Sequence, residues 1–218
     1  MQEQQGVYRR GRLWFEFMSL FVVVPILMAT AMPAGMIWPV LSTVTIVAVI
    51  LLQITPGFHW RVLKRGRWIE NTKLTLLLAI VTAVISCALI LWLLPEKFLH
   101  IPRTMPGLWL LILILYPLVS ALPQEIIFRV LFIERYGVLF PQPALLIAVN
   151  AVCFGLAHLF YGNWPALILS TLGGAVFAWA YLYKHSFAYA LFLHSLAGQI
   201  VFTSGLGIFF YHGAVGTL

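Results

Sequence analysis

The sequence predicts an all-α fold, a polytopic transmembrane helical bundle of about seven spans, with six to eight as the range. Three observations predict it. Apolar residues fill 62% of the 218 positions, charged residues only 9%, and mean hydropathy is +1.00; a soluble domain averages about 25% charged residues. The apolar residues fall into runs of roughly 20, the length a helix needs to cross a bilayer. The basic residues sit between those runs and mostly on one side of them.

In chain order the runs lie at 14–32, 36–54, 74–94, 107–122 with an extension to 135, 143–160, 165–183 and 187–210. The first, after "YRRGRLW", has the basic start and "ATA" of a secretion signal. Its apolar stretch is longer than the usual 7–15 residues or so and a second span follows at once, so it reads as an uncleaved first helix. "MPAGM" separates spans one and two. "HWRVLKRGRW" (59–68) joins spans two and three, either as a lipid-facing amphipathic turn or as an ordinary loop. "LPEKF" closes span three. The connections leave no room for a soluble domain, and no internal repeat or low-complexity tract is visible. Residues 1–218 therefore read as a single integral-membrane domain, with its chemistry-bearing part at 107–210.

Charge sets the orientation. Arg9, Arg10 and Arg12 precede span one; Arg61, Lys64, Arg65, Arg67 and Lys73 follow span two; Arg135 follows span four and Lys184 span six. With alternating spans all of these share one face, against Lys97 and Arg103 on the other. The positive-inside rule places the N-terminus in the cytoplasm. The sequence pI of about 9.7 then reflects topology and anionic lipid rather than nucleic-acid binding. Cys87 and Cys153 lie in apolar runs without metal-type spacing and read as packing residues.

The chain has six glutamates and no aspartate, and one of the six stands in "PQEIIFRVLF" (123–132), at the heart of an apolar region. An ionisable group at the middle of a spanning helix costs about 2.5–3.5 kcal/mol, which makes it a functional hypothesis. Glu125 and Arg129, four residues apart, share a helix face and can pair; a purely structural ion pair is the plain alternative. "NAVCFGLAH" adds Asn150, Phe154 and His158 at intervals of four on span five, and "ALFLHSLAGQ" adds His194 and Gln199 on span seven. Either histidine alone is more often a packing residue. Two histidines and a Glu–Arg pair on three spans point to one polar chamber inside the bundle.

Such a set suits hydrolysis. A buried carboxylate can take a proton from water, an imidazole can align that water, and a second imidazole with a carboxamide can stabilise an oxyanion. With no aspartate there is no Ser-His-Asp set, although a Ser/Glu–His set remains open. One Glu and two His also match the donor count of a zinc site, but the chain has no HExxH; the reading is no cofactor, with zinc as the open alternative. Straight helices would set His158 about 22 Å and His194 about 10 Å along their spans, and Glu125 about 15 Å from its own end. Tilt, a break at Pro117 and Pro123, or a re-entrant start to span five must then bring them together.

"QEIIFR", "FGLAH" and "HSLAG" resemble, in order and spacing, the EExxxR, FxxxH and HxxxN/D motifs of the CPBP intramembrane proteases. That family includes the type II CAAX prenyl endopeptidases and the Abi or bacteriocin-immunity proteins. The resemblance runs from Gln124 to near Gly207. It implies a metal-independent glutamic endopeptidase acting on a membrane-associated protein or peptide, with Glu125, His158 and His194 as catalytic positions. Arg129, Gln124, Asn150 and Gln199 would support them. Two positions depart from the pattern. Gln124 replaces the first glutamate, the one assigned to activate water in characterised CAAX endopeptidases, so either Glu125 is the base or the protein is silent. Gly198 replaces the Asn or Asp, and Gln199 is the nearest carboxamide, about 100° round the helix. The segment 198–213 is similar to the end of a bacterial subgroup that carries QE, which implies a bacterial inner membrane. Two further functional classes remain, a silent immunity or scaffold protein and a proton- or ion-coupled transporter; the latter would show inverted repeats, which are not seen.

Overall fold

The structure is a computed structural model that describes residues 2–33 and 35–210, with side chains from Arg10 onward. The Arg9 side chain and residues 211–213 of the tail segment lie outside the described residues. Among the described residues every regular element is helical. Six helices are long and apolar enough to cross a membrane: α1 (Arg10–Ala31), α3 (Thr72–Leu93), α4 (Pro106–Leu139), α5 (Pro143–Tyr161), α6 (Trp164–Tyr183) and α7 (Phe187–Ser204). A shorter apolar helix, α2 (Ile37–Gln53), has 17 residues, at the lower end of the length that spans. The all-α bundle of about seven spans is the observed fold, and the protein is an integral membrane protein.

Capping residues set where the helices begin. Asn71 accepts from the Leu74 N–H at the start of α3 (3.0 Å), Asn163 from the Ala166 N–H at α6 (2.9 Å), and Ser186 from the Tyr189 N–H at α7 (3.0 Å). Each supplies an acceptor to a donor that has no partner within its own helix. The expected end of span seven at residue 210 is corrected. Regular α7 stops at Ser204, because Gly205 takes a left-handed conformation (φ 99°) and a tighter turn follows over Leu206–Phe210.

Two π turns are placed by proline. The widened turns Ser19–Val23 in α1 and Tyr116–Ala121 in α4 each lie just before a proline, Pro25 and Pro123. A proline ring crowds the carbonyl four residues back and supplies no N–H to it, so the turn opens there. A second π turn in α4, Ile126–Leu131, carries Arg129. The break expected at Pro117 and Pro123 is corrected: the helix of 34 residues stays continuous, and its turns only widen locally there.

Polar contacts gather one set of helix ends. Glu16 of α1 accepts from Arg135 (2.8 Å), which also donates to Thr55 beyond α2 (2.9 Å). Ser186 donates to the Arg67 carbonyl (2.9 Å), and the Tyr181 hydroxyl donates to Glu134 (2.7 Å). The loop carrying Arg67, the end of α4 with Arg135 and the turn carrying Lys184 thus share one end of the bundle, as alternating spans require. The opposite end is closed by Leu99, whose N–H donates to the Ser204 carbonyl at 3.0 Å.

Burial runs opposite to that of a soluble protein. Phe15, Trp92, Ile114 and Val84 are exposed on outer faces, while Glu125, Arg129 and Asn150 have no exposure at all. Between them lies an aromatic core in which Phe21 packs edge-on against Phe128 and Phe132, and Phe128 against Phe154. α1, α4 and α5 meet there, directly beneath the polar residues.

Candidate active site

The Glu–Arg pair forms inside α4. Arg129 Nε donates to Glu125 Oε2 at 3.1 Å, with both side chains fully buried. Arg129 Nη1 donates to Asn150 Oδ1, and Asn150 Nδ2 donates to the Phe128 carbonyl at 2.6 Å. Asn150 therefore uses both ends of its carboxamide to fasten α5 to α4. The guanidinium also lies over the rings of Phe154 (5.0 Å) and Phe177 (5.7 Å). Such faces attract a desolvated cation, and among the described residues Nη2 has no hydrogen-bond partner.

The second oxygen of Glu125 reaches across the bundle. His194 Nδ1 and Glu125 Oε1 are 2.9 Å apart. An ionised carboxylate only accepts, so the ring proton sits on Nδ1 and Nε2 is left as a free acceptor. Phe177 stacks on this imidazole with centroids 4.8 Å apart and planes at 12°. The ring is thus fixed by a hydrogen bond at one edge and an aromatic face.

His158 arrives by a different route. The expected stripe Asn150–Phe154–His158 assumed a continuous helix, but regular α-helix ends at Leu156. The reason is local. His158 Nδ1 donates to the Phe154 carbonyl at 2.7 Å, while the His158 backbone N–H turns to the Gly155 carbonyl at 2.8 Å. The side chain takes the acceptor that the next helical N–H would have used. His158 then sits with φ −103° and ψ 1°, in the bridge region where many active-site residues occur. Its Nε2 is likewise an acceptor.

The Phe154 ring contacts both imidazoles, at 4.8 Å from His158 and 5.5 Å from His194. Both histidines border a cavity of about 650 Å³ whose wall also includes Tyr116, Gln124 and Tyr161 and is otherwise mainly apolar. Glu125 and Arg129 stand behind that wall. The structure thus joins Glu125 directly to His194 and sets His158 on the same cavity without a hydrogen bond to either. Gln124 is on the wall and donates to Ser120 Oγ at 3.0 Å. Gln199 is elsewhere, donating to the Leu113 carbonyl at 2.8 Å and tying α7 to the first half of α4. Among the described residues no three His, Cys, Asp or Glu side chains are grouped to hold a metal ion.

Sequence reasoning missed Tyr116, Tyr161 and Phe177. Tyr116 had one available signal, a polar-tipped ring inside an apolar run directly before a proline. Phe177 had none, since a phenylalanine in a spanning helix is unremarkable until its neighbour is known.

The sequence model of one family, Rce1-like, described as type II CAAX prenyl endopeptidase Rce1-like, matches residues 106–200. The segment that builds the site is therefore similar to that family. It covers a little under half of the chain, from the start of α4 to within α7, and contains Glu125, Arg129, His158, His194 and the cavity wall between them. That family is one of CAAX prenyl endopeptidases, and the similarity is of this segment alone. Comparison with curated proteins and with solved structures returned no match.

Proposed function

We propose that the protein is an intramembrane endopeptidase that hydrolyses a membrane-associated protein or peptide with water, using no resident metal. One observation carries this reading: the Glu125–His194 hydrogen bond presents a carboxylate-backed imidazole to an apolar cavity within the bundle. Two histidines, each with Nε2 not hydrogen-bonded among the described residues, border the same space, which is of the size that binds small ligands.

In the proposed reaction a water lies between the two imidazoles. His158 Nε2 accepts one of its hydrogens and aligns it. His194 Nε2 takes the other proton as the water oxygen attacks the peptide carbonyl. Glu125 acts through His194, holding the tautomer and stabilising the imidazolium, as a buried carboxylate does behind a catalytic histidine. Arg129 pairs with that carboxylate and holds it in place. The tetrahedral intermediate collapses with cleavage of the C–N bond, and His194 returns its proton to the leaving amine. Gln124 cannot accept a proton from water, but its carboxamide can donate a hydrogen bond from the cavity wall. The protein acts as one integral-membrane domain with its basic loops and N-terminus in the cytoplasm, which in a bacterium means the inner membrane.

The test is cleavage by full-length protein reconstituted in liposomes, with a chelator present, of internally quenched peptides carrying an apolar or lipid anchor. Mass spectrometry would identify the new termini. Wild-type cleavage that is lost in His194→Asn supports the reading. Inert wild type that gains activity through Gln124→Glu would overturn it and leave a silent scaffold in its place.

A further inference from the structure

The position one helical turn after His194 is Gly198, and the structure explains its lack of a side chain. A Cβ placed there would lie 2.3 Å from the Tyr116 ring and hydroxyl. The phenol of α4 therefore occupies the volume that any larger residue at 198 would fill. Tyr116 packs edge-on against His194 (centroids 6.0 Å) and Phe202 (5.5 Å) and lines the cavity. Its hydroxyl makes no hydrogen bond among the described residues. The residue is only partly buried and borders the cavity, so its hydroxyl, a hydrogen-bond donor, is free to donate to a group bound there.

We propose that Tyr116 is a further catalytic residue, its O–H donating to the oxyanion that forms when water attacks the substrate carbonyl. The placement fits. The π turn Tyr116–Ala121 swings the ring off the regular helical path, and Gly198 opens the space beside His194 that receives it. A neutral O–H held in a low-dielectric cavity stabilises developing negative charge without reorganising. No covalent step is added; the phenol donates a hydrogen bond and keeps its proton. The volume that Gly198 leaves open on α7 is thus filled by a side chain supplied from α4. Gln199 takes no part, since its carboxamide is committed to Leu113.

This inference rests on the endopeptidase reading, and its test separates the two. Tyr116→Phe removes one oxygen and keeps the ring packing against His194 and Phe202. With the anchored quenched peptides above, kcat should fall about 10²–10³-fold, the loss seen on removing one oxyanion donor, with KM unchanged. The double variant Tyr116→Ala, Gly198→Asn moves the donor back to α7 and should recover part of the rate lost in Tyr116→Ala. A purely packing role predicts full activity in Tyr116→Phe and no recovery from the asparagine. Active wild type with unchanged kcat in Tyr116→Phe overturns this inference alone. Wild type that cleaves nothing overturns the endopeptidase reading and this inference with it.

Discussion

Glu125 on α4 and His194 on α7 are joined directly, Nδ1 to Oε1 at 2.9 Å, while the other carboxylate oxygen accepts from Arg129 at 3.1 Å. Both oxygens of the carboxylate are committed. A group held this way is suited to orienting an imidazole and stabilising its positive charge, and it has no surface on the cavity itself.

Glu125→Gln keeps the shape and an acceptor for His194 but removes the charge. Cleavage should fall about 10³–10⁴-fold, by analogy with a neutralised carboxylate behind a catalytic histidine, while the protein still folds. Rates for purified variant and wild type in liposomes, with chelator present, measure this. Cleavage at the wild-type rate would remove Glu125 from the reaction.

Arg129→Ala leaves a buried carboxylate without its cation and Asn150 Oδ1 without its donor. The expected loss of stability is about 3–5 kcal/mol, as for other broken buried pairs. Arg129→Lys restores the charge but not the two-pronged geometry, so it should recover folding better than catalysis. Thermal unfolding in detergent, alongside cleavage rates, measures both. A well-folded and fully active Arg129→Ala protein would show that the arginine is incidental.

Gln124 borders the cavity where its neighbour Glu125 does not. Gln124→Ala should lower the rate modestly, about tenfold or less on the scale of one neutral hydrogen bond, and Gln124→Glu should not be needed for activity. A variant series at 124 assayed on one peptide distinguishes this from the alternative. Activity that appears only with glutamate at 124 would assign water activation to that position.

Gly174 on α6 sets the spacing of the site. A Cβ there would lie 3.0 Å from Phe154 Cβ and 3.2 Å from Ala151 Cα, so α5 and α6 would have to part. Small residues permit such close approach between membrane helices. Gly174→Ala should cost about 1–3 kcal/mol, as overpacking does, and should slow cleavage too, because Phe154 packs against both imidazoles. An unchanged melting temperature and rate would refute the coupling.

The sequence by itself determined the class of fold, because a spanning helix must satisfy its backbone internally and meet lipid with apolar side chains. Composition and run length therefore sufficed for α1 and α3 to α7. It also determined that Glu125 and Arg129 meet, since residues four apart share a helix face whatever surrounds them. Only the tertiary structure decided what lies across from that pair. His194 is 69 residues from Glu125 along the chain, and its approach depends on π turns and helix packing that leave no periodic trace. His158 was legible as a polar residue, but its place beyond the helix end follows from its own ring taking the Phe154 carbonyl. That competition is settled by geometry. Tyr116 and Gly198 lie even further from sequence reasoning, because a phenol and a missing side chain on different helices acquire meaning only when the two touch.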